Sequence, residues 1–291
     1  MFLFLLAPLR ADAEHVRIAT YNVRNYLEMG RRVGGYWKDE YPKPEAELQA
    51  VREVIRFADP DILALQEIGS AAHLAELQDD LAAEGLNFPY AYFGEQPGEP
   101  RRLAVLSKVE PESVTFHRQL DFAYFGGRER VKRGLLELAF ETGGTEWRLF
   151  VVHLKSRYTA RKDDLNGELR REREARAIRD FLRETWPPET APLHLVVGDF
   201  NDHRDSGPVA RFLEVSDTPL GKLVPTFDSR GEAWTFHYGR RDIYERVDFI
   251  VASPALWSRI PHRRGAIADP VPASLRGSDH RLVWVDVNFR E

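Results

Sequence analysis

Short apolar runs, several of them β-branched and bounded by turn residues, recur along the chain and constrain its fold more than any other feature. They predict strands at Val16–Val23, Ile62–Gln66, Leu103–Ser107, Gly134–Phe140, Trp147–Leu154, Leu193–Gly198, Trp234–Tyr238, Val247–Ala252 and Leu282–Asn288. Helical periodicity is rarer. Leu48, Val51, Ile55 and Ala58 share a helical face before Asp59-Pro60 stops it, and Leu74, Leu77 and Leu81 follow a Ser70 N-cap. Ala175, Ile178, Phe181 and Leu182 mark a third helix, whose Arg and Glu residues across Glu168–Glu184 read as a solvated face laced by i,i+4 pairs. No repeat, linker or composition shift divides the chain, so one domain over residues 14–291 is expected.

At 291 residues the chain can bury a large core, and 43% hydrophobic with 30% charged residues is ordinary globular composition. It has no cysteine, which excludes disulfides, thiolate metal sites, iron–sulfur clusters and a cysteine nucleophile. Any metal must sit on oxygen or imidazole. A net charge of −5 argues against a strongly basic nucleic-acid coat but leaves room for a local cleft of Lys and Arg. The apolar run Met1–Leu9 followed by Ala11-Asp12-Ala13 has the shape of an export signal over residues 1–13, implying a secreted or periplasmic protein; an N-terminal strand is the alternative. The run is far shorter than the roughly 20 residues of a membrane span, so no stable membrane insertion is expected. The stretch Asn25–Pro44, with Arg31, Arg32, Tyr36, Trp37, Lys38 and Tyr41, is long for a structureless loop; it suits a substrate contact and a solubilising excursion equally.

Several apolar strands end in polar residues that a core strand has no need of. Asn22 closes Ile18-Ala19-Thr20-Tyr21. Glu67 closes Ile62–Gln66, and strict alternation places it on the face of Leu63 and Leu65. His153 follows Phe150-Val151-Val152, with Lys155 two residues on; Asp199 and Asn201 close Leu195–Gly198, again two apart. Asp248 lies in the Val247–Ala252 run, and Asp279-His280 precedes the last strand. Singly, each is explained as a turn cap or a hydrogen-bonded structural residue. Together, carboxylates and carboxamides at one sheet edge repel and are costly to desolvate unless a hard divalent cation gathers them, and oxygen ligands favour Mg²⁺ or Mn²⁺ over Zn²⁺. Histidines, a lysine and arginines beside such a cluster suit a phosphate ester.

The segments TYN at Thr20–Asn22, LQE at Leu65–Glu67, HLKS at His153–Ser156, GDFN at Gly198–Asn201, VDFI at Val247–Ile250 and SDH at Ser278–His280 resemble, in order, the motifs of the endonuclease/exonuclease/phosphatase superfamily. That resemblance implies an α/β fold, a four-layer sandwich of two mixed β-sheets packed face to face with helices outside, and an active site at one edge. It implies Glu67 as principal metal ligand, with Asn22 and Asp279 completing the site. Asp199 and Asn201 would orient the attacking water or hold a second metal, and contact the scissile phosphate, and His280 would be the catalytic histidine, its tautomer fixed by Asp248. His153 would donate to a phosphoryl oxygen, and Arg133 and Lys155 would contact phosphate. Asp199 and His280 both remain open as the general base. Ser156 and Ser278 lie beside histidines, but the Gly-x-Ser-x-Gly elbow is missing.

The expected activity is hydrolysis of phosphodiesters by in-line attack of an activated water, with nucleic acid as leading substrate and the protein a monomer. The alternatives are a phosphatase or sphingomyelinase-like diesterase acting on small phosphoesters or lipid head groups and, from a different class, a non-catalytic binding module of the same fold. The aromatic and basic stretches Tyr36–Tyr41, Trp234–Arg241 and His262–Arg264 suit a sugar-phosphate chain, and as surface turns they need no function.

Overall fold

A computed structural model describes residues 14–270 and 273–290; the expected export segment lies outside the described residues. In chain order the principal elements are β1 (His15–Tyr26), α1 (Glu45–Ala58), β2 (Ile62–Ile68), α2 (Ala71–Ala83), β3 (Tyr90–Gly94), β4 (Arg102–Ser107), β5 (Ser113–His117), β6 (Leu135–Thr142), β7 (Thr145–His153), α3 (Glu168–Thr185), β8 (His194–Asp199), β9 (Lys222–Leu223), β10 (Thr226–Phe227), β11 (Asp248–Ala252), β12 (Gly265–Ile267) and β13 (Val283–Asn288). A seven-stranded sheet runs β10-β12-β13-β1-β2-β4-β3 and a six-stranded sheet β9-β11-β8-β7-β6-β5. Both are mixed: β1 is parallel to β2 and antiparallel to β13, and β7 is parallel to β8 while β8 is antiparallel to β11.

The alternation of side chains along each strand builds three apolar layers. Ile18, Ile62, Ala64 and Val105 meet Leu149, Val151, Leu195, Val197 and Ile250 between the sheets. On the outer face of the first sheet, Ala19, Tyr21, Leu63 and Leu65 pack with Val51 and Ile55 of α1 and Leu74, Leu77 and Leu81 of α2. On the outer face of the second, Phe150, Val152, Val196 and Phe249 pack with Ala175, Ile178 and Leu182 of α3. The molecule is therefore the expected four-layer sandwich. The helix signals act as expected: Ser70 Oγ accepts the His73 N–H, and Asp59, in the left-handed region at φ 44°, ends α1 with its N–H on the Ile55 carbonyl.

Four local expectations are corrected. The Asn25–Pro44 stretch is no loop; Met29–Val33 and Tyr36–Tyr41 pair as an antiparallel hairpin. The Trp234–Tyr238 strand shrinks to Phe236–Tyr238, paired with Ile243–Glu245 outside both large sheets. Helix α3 does not simply lay its charges in water, because Arg171, Glu174 and Arg179 are buried. Finally, Glu67 leaves the face of Leu63 and Leu65: the pairing register of β2 shifts between Gln66 and Ile68, Glu67 has φ 70°, and Ile68 takes the helix-side position instead.

Candidate active site

At one edge of the sandwich the layer between the sheets changes from apolar to polar. His153 follows Leu149 and Val151 on the inward face of β7, Asp199 follows Leu195 and Val197 on β8, and Asp248 precedes Ile250 and Ala252 on β11. Register sets them in a row, His153 opposite Asp199 and Asp199 opposite Asp248. Asn22 continues the inward face of Ile18 on β1 and reaches across from the other sheet, its Nδ2 donating to Asp199 Oδ2 at 3.0 Å. One step deeper, the buried Thr20 and Gln66 satisfy each other.

Asp199 is the hub. Its Oδ1 accepts the Asn201 backbone N–H at 2.8 Å, and its Oδ2 accepts Asn201 Nδ2 at 3.2 Å and lies 3.5 Å from His153 Nε2 and 3.8 Å from His280 Nε2. His280 is delivered by the loop before β13, where Ser278 Oγ donates to the Asn22 carbonyl at 2.7 Å and accepts the His280 N–H at 3.0 Å. The other ring nitrogen of His280, Nδ1, faces Asp248 Oδ2 at 2.9 Å, and Phe236 packs beside the ring, centroids 4.9 Å apart. Buried Thr235 holds Asp248 in turn, its Oγ1 accepting the Val247 and Asp248 N–H groups.

The two histidines are driven in opposite directions. Burial, with Arg133 and His280 adding positive charge, holds His153 well below the usual range, so its imidazole is neutral. Burial also opposes charge on His280, but the flanking Asp248 and Asp199 carboxylates overcome it and hold the ring above its ordinary value, as imidazolium. Burial and the Asp248 charge raise the Asp199 carboxyl, while His280 and the Asn22 and Asn201 hydrogen bonds restrain it. The cluster thus sets a carboxylate poised to exchange a proton beside a cationic donor.

Asp199, Asp248 and His280 each offer one ligand atom, all within 4.8 Å of one another, a set able to hold a metal ion. Both His280 nitrogens already face carboxylates, however, so the imidazolium itself supplies the positive charge the two acids need. The three oxygen ligands expected to bind a hard cation are each tied separately to the last part of β1 or to Arg101. Glu67 Oε2 accepts the Asn25 N–H at 2.8 Å and lies 3.6 Å from Arg101 Nε, Asn22 Oδ1 accepts the Arg24 N–H, and Asp279 Oδ2 lies 3.4 Å from Arg24 Nε. Glu67 and Asp279 keep 15% and 29% side-chain exposure, enough to meet a hydrated ion, and their donor chemistry fits Mg²⁺ or Mn²⁺. The bulge at Glu67 therefore moves the carboxylate off the packed face of β2 onto this edge.

Of the phosphate candidates, Arg133 is buried, gives Nη1 to the Leu154 carbonyl, and has Nε 3.7 Å from Glu99 Oε2, while His153 leaves Nδ1 without a hydrogen-bond partner. Lys155 behaves differently. Strand β7 ends at His153, and Lys155 Nζ turns to the carbonyls of Ser156 and Tyr158; burial and the neighbouring Lys132 and Arg133 lower its pKa to about 8. Ser278, bonded to Asn22 and His280, is a staple and no nucleophile. Sequence reasoning missed Arg24, Arg101 and Thr235, which carry no periodic or motif signal, and Glu174, hidden among the charges of α3.

A family model for the endonuclease/exonuclease/phosphatase family matches residues 19–280, and the chain belongs to that family. Its members are hydrolases acting on phosphoester bonds. No curated protein matches the chain in sequence. Among solved structures, truncated TDP2 of Caenorhabditis elegans is similar at TM-score 0.62 and 17% identity over 96% of this chain and 99% of that one. The human Nocturnin catalytic domain with bound sulfate is similar at TM-score 0.64 and 17% identity, covering 94% of each chain. Sphingomyelinase C of Streptomyces griseocarneus is similar at TM-score 0.64 and 17% identity over 94% of this chain and 99% of that one. At such identities the likeness is one of fold.

Proposed function

We propose that this phosphoesterase cleaves the phosphodiester backbone of nucleic acid by in-line attack of water. The observation that carries the substrate class is an open groove of about 740 Å³ that starts at His280 and Asn201 and runs between Tyr158 on one side and Phe236, Tyr238 and Ile243 on the other, with Arg157 and Arg241 in its lining. Exposed aromatic faces and guanidinium groups beside the reacting residues suit bases and phosphates of a flexible strand; an enclosed pocket would suit a small head group. Tyr158 is 85% exposed and Tyr238 40% exposed, so both rings are free to stack. The Arg157 guanidinium pairs with both oxygens of Glu245, tying the loop that bears Tyr158 to the Phe236–Tyr238 hairpin across the groove.

Asp199 and Asn201 align the water, and Asp199 takes its proton. His280, cationic between two carboxylates, gives a proton to the departing oxygen, and Asp248 keeps the ring oriented as it does so. His153, whose buried Nδ1 lacks a hydrogen-bond partner, and the Arg133 guanidinium, whose Nε lies 3.7 Å from Glu99, hold phosphoryl oxygens. A Mg²⁺ or Mn²⁺ ion held by Glu67, Asn22 and Asp279 would draw charge from the same phosphate. Tyr158→Ala with Tyr238→Ala tests the substrate assignment. The expected result is a KM for single-stranded oligonucleotide raised about tenfold or more, by roughly 1–3 kcal/mol per stacked base, with bis(4-nitrophenyl) phosphate turnover unchanged. Equal loss on both substrates would refute it.

A second reading has one observation in its favour. Tyr36 and Trp37, 78% and 68% exposed, stand at the turn of the Met29–Tyr41 hairpin and suit a lipid interface. Release of phosphorylated head group from sphingomyelin vesicles, lost in Trp37→Ala, would support a lipid diesterase; inert vesicles would dismiss it. Among the described residues no helix is long and apolar enough to cross a membrane.

A further inference from the structure

Helix α3 reaches the site without placing a side chain among the reacting groups. Arg171 and Glu174, one turn apart, are 2% and 0% exposed. Glu174 Oε2 accepts the Lys155 N–H at 2.7 Å and its Oε1 the Lys132 N–H at 3.1 Å. Arg171 Nη1 donates to the Lys155 carbonyl at 3.1 Å and the Asn166 carbonyl at 3.0 Å, while its Nε donates to Asp202 Oδ2 at 2.8 Å. Both peptide groups of residue 155 are therefore gripped by the same helix, just where β7 stops and its sheet bonds run out. One residue earlier, the Leu154 carbonyl accepts Arg133 Nη1 at 3.2 Å and Asn201 Nδ2 at 3.0 Å. Three backbone segments meet at this knot, and they are the ones that present Arg133, His153 and Asn201.

We infer that Arg171 and Glu174 are positioning residues for phosphoryl transfer, fixing the segments Lys132-Arg133, His153–Lys155 and Asp199–Asp202 so that the side chains they bear converge on one phosphate and the water that attacks it. The inference rests on the assignment of His153 and Arg133 to that phosphate and of Asn201 to the water that attacks it. Helix docking alone does not call for these charges, because Ala175, Ile178 and Leu182 already pack α3 on its sheet and buried ions are a costly way to add adhesion. What they add is direction: each hydrogen bond fixes one backbone group, and a displacement near 1 Å at reacting groups costs on the order of 100-fold in rate. Burial raises the Glu174 carboxyl pKa, and the charges of Arg133 and Arg170 with the two backbone N–H bonds offset part of that rise.

Glu174→Gln is the informative variant. It keeps the volume and one accepting oxygen but turns an amide NH₂ toward the second backbone N–H. Thermal unfolding establishes that it is folded, and kcat and KM on bis(4-nitrophenyl) phosphate with Mn²⁺ are read beside inorganic phosphate affinity measured by calorimetry in chelator. Arg176→Ala, an exposed change on the same helix, is the control, and His153→Ala tests the underlying assignment. The expected pattern is a kcat/KM lowered roughly 10- to 100-fold in Glu174→Gln with phosphate affinity weakened several-fold, and no change in Arg176→Ala. A lowered unfolding temperature with wild-type kcat/KM and wild-type phosphate affinity would make Glu174 a structural residue only and overturn the inference. If His153→Ala turns over like wild type, the phosphate assignment fails, and the inference with it. Should Glu174→Gln not fold, Arg171→Lys, which retains the charge but cannot span Asp202 and the Lys155 carbonyl together, carries the same comparison.

Discussion

Asp199 Oδ2 stands between two imidazoles that carry different charges, and that asymmetry is the chemical content of the site. It depends on Asp248, whose carboxylate faces His280 Nδ1 at 2.9 Å. Asp248→Asn preserves the shape of this pair but removes the charge that keeps the ring cationic and correctly oriented. We expect kcat to fall about 10²- to 10⁴-fold with the unfolding temperature little changed; a loss under threefold would place the proton donor elsewhere. A third histidine acts on stability. His194, at the start of β8, has a buried Nδ1 without a partner, and burial lowers its pKa to about 4. In the unfolded chain the same ring titrates near 6.5, so between about pH 6.5 and 4 the unfolded state binds a proton that the native state refuses. Stability is complete above that window and is lost as pH falls through it. His194→Phe removes the proton site, so its unfolding temperature should drop less between pH 7 and pH 4.5 than that of wild type; an equal drop would contradict this.

Strand β8, which carries Asp199, passes β7 at Gly198 with a backbone that leaves no room for a side chain. There φ is 141°, and a Cβ would stand 2.0 Å from the Val152 carbonyl oxygen. Gly198→Ala must therefore part the two strands, and we expect about 3 kcal/mol or more of destabilisation in urea unfolding, with activity lost even in the folded fraction. At this scale much was legible in advance. The β-branched runs located the strands because burial on both faces leaves little freedom of composition, and two apolar stripes located α1 and α2. The polar residue within β1 and those closing β7 and β8 were legible for the same reason, since nothing in a sheet core explains Asn22, His153 or Asp199. Cross-strand register was not legible, so the direct opposition of His153, Asp199 and Asp248 emerges only in the fold. Alternation also misplaced Glu67, because a bulge inserts one residue and reverses the facing of everything beyond it. The charges of α3 misled for a related reason: a helical pattern separates faces but cannot tell a solvated Glu from one that accepts backbone amides from two distant segments.

The whole molecule is a four-layer sandwich whose inter-sheet core opens at one edge into a polar cluster and a groove. Its net charge of −5 offers a nucleic acid no overall attraction, so affinity has to come from the local guanidinium groups of the groove. We expect binding of a single-stranded oligonucleotide, measured in chelator, to weaken as salt rises, the slope in log–log form shrinking by about one phosphate contact in Arg241→Ala. A slope identical in wild type and variant would remove Arg241 from the path of the strand. The most direct measurement at this scale is nicking of supercoiled plasmid by the purified protein with Mg²⁺ or Mn²⁺ and then with chelator, beside Asp199→Ala, with bis(4-nitrophenyl) phosphate run in parallel. Nicking that needs the cation and vanishes in Asp199→Ala is the expected result. An intact plasmid alongside Asp199-dependent cleavage of the small ester would contradict the nuclease assignment while leaving the site's chemistry in place, and inertness toward both would contradict the chemistry assigned to the Asp199 cluster itself.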